Sequence, residues 1–291
     1  MHTLNELRQM VEGALEKNLR SLGDIPQPLL DAMLYSLCGG GKRVRSVLLL
    51  AACEAGCGTA EEALPFACAL EMIHTYSCVH DDLPGMDNDD MRRNRPSNHK
   101  VYGEGIAILA GDGLLNGATE LMIRESIHRA DGRGIQCMEA IMRRAGVTGM
   151  IAGQDMDLTM ENEPVREDVV RYIHAHKTAD LLTAPLEGGL RLAGAQEELV
   201  QAGIRFGFHL GMAFQQMDDL LDVVGDPKEI GKAVGRDAEE GKQTWVTLRG
   251  IDGTREDMET ETREAMKALD AFGERGIHLR EMAVDMLNRT K

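Results

Sequence analysis

Apolar residues recur along this chain of 291 residues at the three- and four-residue spacing of helices that bury one face. In the first such run, residues 4–22, the apolar positions are Leu4, Leu7, Val11, Leu15 and Leu19. Ten further runs follow, at residues 29–37, 47–55, 60–79, 106–127, 137–150, 165–182, 197–224, 245–249, 256–272 and 278–288. Because the chain has neither repeats nor linkers, the pattern predicts a single all-α domain over residues 1–291.

The composition agrees with a helical protein and narrows the range of partners. Hydrophobic residues make up 43% of the chain but aromatic residues only 3%, which favours packed helices over sheets. The formal net charge of −16 argues against nucleic-acid binding and against stable association with an anionic membrane. A small polyanionic substrate stays open, because local basic clusters or Mg²⁺ can override the average charge.

Neither a membrane span nor a cysteine-based metal site is predicted. The sequence has no uncharged apolar run of 18 residues, and its start lacks the pattern of a signal peptide. We therefore expect no transmembrane helix and a cytoplasmic location. The six cysteines form no CxxC pair and no zinc-ligand spacing, so they are expected to be small buried residues.

A first acidic group stands where the apolar run at residues 60–79 ends. Asp81 and Asp82 are followed by a Pro-Gly pair, which should end the helix and let Asp87 turn back toward them. Such carboxylates repel one another unless a cation lies among them. Mg²⁺ commonly binds through one or two carboxylates together with substrate phosphates. A solvated acidic turn is the simpler alternative for this segment taken alone.

A second acidic group, near the end of the run at residues 197–224, weakens that alternative. Asp218 and Asp222 are four residues apart and share one helical face, with Asp219 beside them. The surrounding residues are apolar, which predicts that this acidic face belongs to a mostly buried helix. Unpaired charges are costly there, so two such motifs are better explained by metal ions than by solvation. Gln215 precedes Asp218 by three residues, on nearly the same face.

Basic residues accompany these acids. Arg92 and Arg93 follow the first acidic group, which suggests that an anion is the other ligand of the metal. A glycine-rich turn at residues 39–41 precedes Lys42 and Arg45 and opens a helix. Such a turn can offer free backbone N–H groups to an anion. It lacks the spacing of a P-loop, and a flexible loop is the alternative.

Two further segments carry candidate polar contacts. His74 lies seven residues before Asp81, two turns away along the same helical face, although a lone histidine on an apolar helix is usually a packed core residue. Thr178 can hydrogen-bond to a carbonyl one turn earlier and bend its helix, which would reposition Lys177. An ordinary exposed lysine is the alternative.

Together these residues resemble the trans-isoprenyl diphosphate synthases over essentially the whole chain, most closely the bacterial-type farnesyl diphosphate synthases. The motifs agree with that family in order and separation. The matching segments are residues 40–45, 81–87, 92–93, 177–178 and 214–222, and the glycine-punctuated loop 231–242 with Lys232 and Lys242. Ser46, Ala152 and Arg236 depart from the family's usual residues without touching a proposed metal ligand.

The resemblance implies a helical bundle of the isoprenoid-synthase type around a central apolar cavity. The residues implied to hold the diphosphate of isopentenyl diphosphate are Lys42, Arg45, His74 and Arg93. Those implied to hold three Mg²⁺ ions on an allylic diphosphate are Asp81, Asp82, Asp87, Asp218, Asp219 and Asp222. Those implied to contact that allylic diphosphate are Arg92, Lys177, Gln215, Lys232 and Lys242. Thr178 and Gln215 would also stabilise a carbocation through their oxygen dipoles.

The implied reaction is the head-to-tail condensation of isopentenyl diphosphate with dimethylallyl or geranyl diphosphate by a homodimer. In the family, the positions four and five before the first aspartate set product length, and here they are Ser77 and Tyr76. The bulk of Tyr76 favours a fifteen-carbon product, (E,E)-farnesyl diphosphate, over a twenty-carbon one. A geranylgeranyl diphosphate synthase is the first alternative. A terpene cyclase would not need the basic residues for a second diphosphate, and a non-catalytic partner subunit predicts eroded aspartates.

Overall fold

The computed structural model describes residues 1–225 and 235–287, which fold almost entirely as helices. The helices are α1 (Leu4–Arg20), α2 (Gln27–Leu37), α3 (Val44–Ala55), α4 (Ala60–Asp81), α5 (Asn98–Tyr102), α6 (Glu104–Ile127), α7 (Arg133–Ala145), α8 (Met150–Thr159), α9 (Glu167–Ile173), α10 (Asp180–Ala193), α11 (Glu197–Val224), α12 (Arg236–Glu239), α13 (Trp245–Ala268) and α14 (Ile277–Leu287). A π-helical turn (His174–Ala179) joins α9 to α10, and a 3₁₀ segment (Leu269–Gly276) precedes α14. The predicted all-α fold is confirmed.

The strands of the described chain form one short hairpin after the first acidic group. Strands β1 (Met91–Arg92) and β2 (Arg95–Pro96) are antiparallel, with Met91 opposite Pro96 and Arg92 opposite Arg95. The hairpin therefore presents three arginines (Arg92, Arg93 and Arg95) within four residues of chain.

Helices α4 and α11 carry the two acidic groups, and both are anchored in the core. Helix α4 packs against α3 and α6, and its buried residues include Phe66, Leu70 and Met72. Helix α11 packs against α10 and α13 and buries Phe206 and Leu210. Because large apolar side chains fix both helices, their acidic C-terminal ends are held in place by the core rather than by local contacts alone.

Glycine explains where the structure differs from the predicted helix boundaries. The run predicted at residues 137–150 is split between α7 and α8, because the chain turns so tightly at Gly149 that a Cβ atom would collide with the Arg144 carbonyl. The runs predicted at residues 245–249 and 256–272 belong to one helix, α13, with a kink where Gly250 adopts a φ of 70°. The run predicted at residues 165–182 covers α9 and the π-helical turn but only the start of α10, which continues to Ala193, and the short helices α5, α8 and α12 were not predicted as separate runs.

The structure bears on two further expectations, that the cysteines are buried and that the chain has no transmembrane helix. All six cysteines are free thiols, and Cys38 and Cys57 are exposed rather than buried as expected. Within the described chain, α6 alone is long and apolar enough to pass as a membrane span by length and composition, and 44% of its most apolar window is buried. This is weak evidence for a span, because core helices pass the same test. Helix α6 packs against α2, α4 and α7.

Candidate active site

The first acidic group caps the C-terminus of α4. Asp81 is the last residue of α4 and Asp82 is its C-cap. The following turn brings Asp87 back, because its backbone N–H donates to the Asp81 carbonyl at 2.9 Å. The predicted return of Asp87 toward the aspartate pair is therefore confirmed. Asp82 is 2% exposed and accepts from Arg92 Nε at 2.7 and 2.9 Å, so the hairpin arginine is bound to this group.

The carboxyl groups at this end of α4 are poorly compensated in the ligand-free protein. Burial raises the pKa of Asp81 to about 6, with Lys177 opposing the rise and the Asp87 carboxylate adding to it. Burial also raises the pKa of Asp82, although the hydrogen bond from Arg92 acts against it. A divalent cation among these oxygens would remove the penalty for their negative charge.

The second acidic group is divided between solvent and the protein interior. Asp218 is exposed, Asp219 is 2% exposed and Asp222 is half-buried. Helix α11 packs in the core as predicted, whereas Asp218 on its acidic face is exposed to solvent. The buried side of α11 runs through Gln216 and Leu220 and includes Asp219, while Asp218 lies about 100° away round the helix axis.

Residues 235–242 connect the two acidic groups. The Lys242 ammonium lies 3.4 Å from Asp87 Oδ1 and 2.7 Å from Glu240 Oε2. The Asp237 N–H donates to Asp222 Oδ2 at 3.2 Å. Burial and, after it, the carboxylates of Asp222 and Asp219 raise the pKa of Asp237 to about 6. Sequence reasoning missed Asp237, whose signal is an acidic residue within a loop of glycines and basic residues.

The oxygen-rich set fits Mg²⁺ only together with further ligands. Among the described residues, no three His, Cys, Asp or Glu side chains are close enough to hold a metal by themselves. Mg²⁺ usually keeps waters and takes one or two carboxylates plus substrate phosphates. Separate carboxylates on either side of a diphosphate are therefore a suitable donor set, and the raised pKa of Asp81 marks where positive charge is lacking.

A second group of functional candidates is a cluster of basic side chains around His74 of α4. Arg45 Nη1 lies 3.4 Å from His74 Nε2, and the buried Arg45 Nε has no hydrogen-bond partner. Burial, followed by the nearby guanidinium groups of Arg45 and Arg93, lowers the pKa of His74 well below its ordinary value. Burial likewise lowers the pKa of Arg45. The neutral histidine and the unpartnered guanidinium N–H suit an anion. Lys42 is exposed at the edge of the same turn.

A buried ion pair holds the glycine-rich turn against α4. Arg43 has a φ of 53° and donates from Nη1 to Glu71 Oε1 at 2.9 Å, with both side chains 2% exposed. Ser46 donates to Glu71 Oε2 at 2.6 Å. Arg93 donates to the Gly40 carbonyl, and a Cβ atom on Gly41 would meet its guanidinium. Sequence reasoning missed Glu71, which lies three residues before His74.

The π-helical turn places Lys177 and Thr178 beside α8 and α11. Lys177 forms an ion pair with Asp157, which is 6% exposed. Gly153 allows this packing, because a Cβ atom there would collide with the Lys177 backbone. The Thr178 hydroxyl donates to Gln215 Oε1 at 2.6 Å. The predicted bond from Thr178 to a carbonyl one turn earlier is therefore wrong, while the predicted bend is present as the π-helical turn.

The two proposed chain-length residues have different environments. Tyr76 is 6% exposed and meets His80 edge-on, with ring centroids 5.8 Å apart. Burial and the nearby Asp81 raise the pKa of Tyr76 to about 12. The Ser77 hydroxyl donates back to the His74 carbonyl at 3.0 Å, within α4. Tyr76 is thus the bulky member of the pair near the aspartates.

The remaining predicted residue, Lys232, lies outside the described residues. Of the others, the structure brings Asp87 and Lys242 together, joins Thr178 to Gln215, and places Arg92 on Asp82. The predicted binding and catalytic roles of these residues, including those of the aspartates as magnesium ligands, remain predictions.

Comparisons with known proteins identify the family of this chain. The family model described as polyprenyl synthetase matches residues 26–274. A dimethylallyltranstransferase of Fischerella ambigua is 41% identical over 288 residues, covering 99% of this chain and 83% of the relative. A farnesyl diphosphate synthase of Geobacillus stearothermophilus is 42% identical over 267 residues, covering 91% and 90%.

One further relative is named for a different product, and one similar protein has a solved structure. A geranylgeranyl diphosphate synthase of Cyanophora paradoxa is 38% identical over 287 residues, covering 98% of this chain and 95% of the relative. The crystal structure of a geranyltransferase from Legionella pneumophila superposes with a TM-score of 0.86 at 31% identity, covering 98% of this chain and 96% of that one.

Proposed function

This chain belongs to the polyprenyl synthetase family, and from that premise we propose that it condenses isopentenyl diphosphate with dimethylallyl or geranyl diphosphate. The products are (E,E)-farnesyl diphosphate and diphosphate, and the enzyme is a prenyltransferase. One observation carries the proposal: the same helix, α4, carries His74 with the guanidinium groups of Arg45 and Arg93 near it and, two turns later, the carboxyl group of Asp81, which gives one site for a metal-free diphosphate and one for a metal-bound diphosphate.

The two sites differ in how they would hold a diphosphate. Isopentenyl diphosphate would bind to Lys42, Arg45, His74 and Arg93 without a metal. The residues that would hold three Mg²⁺ ions with the allylic diphosphate are Asp81, Asp82, Asp87, Asp218 and Asp222. When bound, Mg²⁺ supplies positive charge to the diphosphate oxygens and so improves the leaving group. Arg92, Lys177, Lys232 and Lys242 would add cationic donors to the same oxygens.

The residues of the chain would stabilise the charges that develop as the allylic diphosphate ionises. The C–O bond of the allylic diphosphate breaks, its electron pair stays with the diphosphate, and an allylic cation remains. Lys177 would donate to the departing oxygens, leaving its ion pair with Asp157. The oxygen atoms of Thr178 and Gln215, which lie 2.6 Å apart, would face the cation. The double bond of isopentenyl diphosphate attacks the cation, and a proton passes to the released diphosphate.

Product length is proposed to depend on Tyr76. Its ring is buried below the first aspartates, so a growing prenyl chain that enters between the helices would meet it. This favours the fifteen-carbon product. The geranylgeranyl diphosphate synthase among the relatives keeps a twenty-carbon product as the second candidate.

We further propose that the protein acts as a homodimer in the cytoplasm. Helix α6 exposes four large apolar side chains, Ile108, Leu109, Ile123 and Ile127, and Ile151 of α8 is exposed as well. An isologous pairing of α6 with its copy would bury such a surface, and two-fold dimers are the commonest homo-oligomers. Light scattering coupled to size-exclusion chromatography should give twice the monomer mass of 31.9 kDa, and a monomeric mass at micromolar concentration would contradict the proposal.

The activity is tested directly by incubating purified protein with Mg²⁺, labelled isopentenyl diphosphate, and dimethylallyl or geranyl diphosphate. Chromatography of the dephosphorylated products should give farnesol. Geranylgeraniol as the main product would establish the second candidate. Failure to consume isopentenyl diphosphate with either starter would reject prenyl transfer, and a cyclic hydrocarbon made from the allylic substrate alone would indicate a cyclase.

A further inference from the structure

The carboxamide of Gln215 is fixed at both ends. Thr178 Oγ1 donates to its Oε1 at 2.6 Å, and its Nε2 donates to Asp219 Oδ1 at 3.0 Å. An ionised carboxylate can only accept hydrogen bonds, so the amide nitrogen must point toward Asp219. The amide oxygen then points toward Thr178, the side on which the substrate is proposed to react.

Asp219 is itself held from two further directions. Its Oδ2 accepts from the Trp245 N–H at 2.7 Å and lies 3.1 Å from His174 Nε2. Asp219 and His174 are both 2% exposed. The rings of His174 and Trp245 pack at a centroid distance of 5.3 Å, which fixes the histidine. Two hydrogen-bond donors, from α11 and the start of α13, and the imidazole of the π-helical turn therefore meet on one carboxylate.

We propose that Asp219 is a positioning residue that sets the orientation of the Gln215 carboxamide, with His174 and the Trp245 N–H holding Asp219 in place. The proposal rests on the proposed prenyl transfer. A correctly oriented amide presents the negative end of its dipole to the allylic cation. If the amide flipped, it would present its N–H₂ group and oppose the positive charge. The orientation matters in the transition state more than in substrate binding, so its loss lowers kcat rather than raising KM.

This role differs from the magnesium role predicted for the same residue. Both oxygens of the Asp219 carboxylate already accept a hydrogen bond from a neighbouring group, so a Mg²⁺ ion bound directly would compete with those donors for the same two oxygens. Asp218, one residue earlier, is exposed. If its carboxylate binds Mg²⁺, water can take over the hydrogen bonds of any group that it contacted before. The two neighbouring aspartates can therefore be separated by experiment.

The test compares Asp219→Asn with Asp218→Asn. Asparagine at position 219 keeps the shape of the side chain but turns one acceptor into a donor, so we expect kcat to fall about 30-fold, equivalent to about 2 kcal/mol. KM for both substrates and the Mg²⁺ concentration at half-maximal activity should change by less than about threefold. Asp218→Asn should instead raise the half-maximal Mg²⁺ concentration by about tenfold. Mg²⁺ binding measured calorimetrically with an unreactive thio-analogue of the allylic diphosphate should give the same contrast.

A second variant guards against misfolding of the first. His174→Phe keeps the ring packing against Trp245 and removes a buried Nδ1 that has no hydrogen-bond partner, while deleting the Nε2 contact to Asp219. We expect kcat to fall about fivefold with unchanged KM and an unchanged midpoint of thermal unfolding. His209→Gln is the matched control, because His209 lies on α11, pairs with Glu261 at 2.6 Å and lies outside the site. Its kcat should equal that of the wild type.

Trp245 is the only tryptophan of the chain and supplies a readout that needs no turnover. Asp219→Asn should shift its emission, because the backbone N–H that anchors it loses a charged partner, whereas His209→Gln should leave the emission unchanged. An unchanged kcat in Asp219→Asn, or a rise in its half-maximal Mg²⁺ concentration equal to that of Asp218→Asn, would overturn the proposal. So would unchanged emission in Asp219→Asn. A wild-type protein without activity would defeat the proposed function, and the emission contrast would still test the link between Asp219 and Trp245.

Discussion

The C-terminal ends of α4 and α11 carry the same kind of residue in different surroundings. Each helix ends in a group of three aspartates on an apolar, buried stem. At α4 the carboxyl of Asp81 is buried without enough positive charge, and burial raises its pKa to about 6. At α11 the buried member, Asp219, accepts hydrogen bonds from Gln215 and Trp245 and lies beside His174.

The difference teaches that an aspartate-rich motif need not act as one unit. A carboxylate that lacks partners in the ligand-free protein gains stability when a cation arrives, so it is suited to binding. A carboxylate that already accepts several hydrogen bonds is suited to holding its neighbours in position. At α4, Asp82 and Asp87 are paired with Arg92 and Lys242, and Asp81 is the carboxyl group whose pKa is raised to about 6; at α11, the buried Asp219 is held by its neighbours while Asp218 is exposed.

The largest expected effect is loss of turnover when a ligand of either motif is removed. Asp81→Ala and Asp218→Ala should each lower kcat/KM by at least about a thousandfold, because several kcal/mol of charge stabilisation at the diphosphate is lost. Steady-state assays at saturating Mg²⁺ measure this, with circular dichroism as a check on folding. Activity in either variant within tenfold of the wild type would break the assignment of that motif to the metal.

A stability measurement sharpens the contrast between Asp81 and Asp219. The pKa of Asp81 is raised in the folded protein, so its protonated carboxyl group favours the folded state. This contribution to the free energy of unfolding is fully present below about pH 4 and is lost as the pH rises through about 6. Asp81→Asn should therefore stabilise the ligand-free protein by about 2 kcal/mol at pH 7.5 and change little at pH 4. Asp219→Asn should destabilise it by about 2 kcal/mol at pH 7.5, because buried donors lose their acceptor.

Thermal unfolding of the ligand-free variants at both pH values measures these effects. The comparison would fail if both asparagine variants shifted the unfolding midpoint in the same direction at pH 7.5. Excess EDTA in the buffer keeps residual divalent ions from stabilising the wild-type carboxylates.

The ion pair between Lys242 and Asp87 should matter more for binding than for stability. Lys242→Met removes a charge 3.4 Å from Asp87, and we expect KM for the allylic diphosphate to rise about tenfold. The free energy of unfolding should change by less than about 1 kcal/mol. Denaturant unfolding and initial rates separate the two. A larger effect on unfolding than on KM would mean that the pair holds the fold rather than the substrate.

The smallest change in rate, but a visible change in product, is expected at Tyr76. Tyr76→Ala should lengthen the main product from fifteen to twenty carbons while total turnover stays within about threefold, because the ring is buried near the aspartates without a hydrogen-bonding task in the reaction. Ser77→Ala is the matched control, since its hydroxyl donates only to the His74 carbonyl of the same helix. An unchanged product from Tyr76→Ala would remove the argument for a fifteen-carbon product.

Sequence periodicity predicted the helices well because their buried faces are continuous, as in residues 4–22, where the expected positions 7, 11, 15 and 19 are all buried. It also predicted that Asp87 returns to Asp81, since a Pro-Gly pair leaves few other conformations. It could not separate Asp218 from Asp219, because the pattern on α11 does not tell where the buried face ends. Nor could it find the bond from Thr178 to Gln215, which joins segments 37 residues apart.

The π-helical turn between α9 and α10 is equivalent to the insertion of one extra residue into an otherwise regular α-helix. Deleting Ala175 would let the backbone hydrogen bonds return to the α-helical pattern, and α9 and α10 would form one continuous regular helix. Every side chain on one side of the cut would then rotate by about 100° against the other. Since α10 is locked by its neighbours, α9 would have to turn, and His174 would swing away from Asp219. The extra residue of the π-helical turn is therefore what allows α9 and α10 to keep their packing while His174 stays beside Asp219.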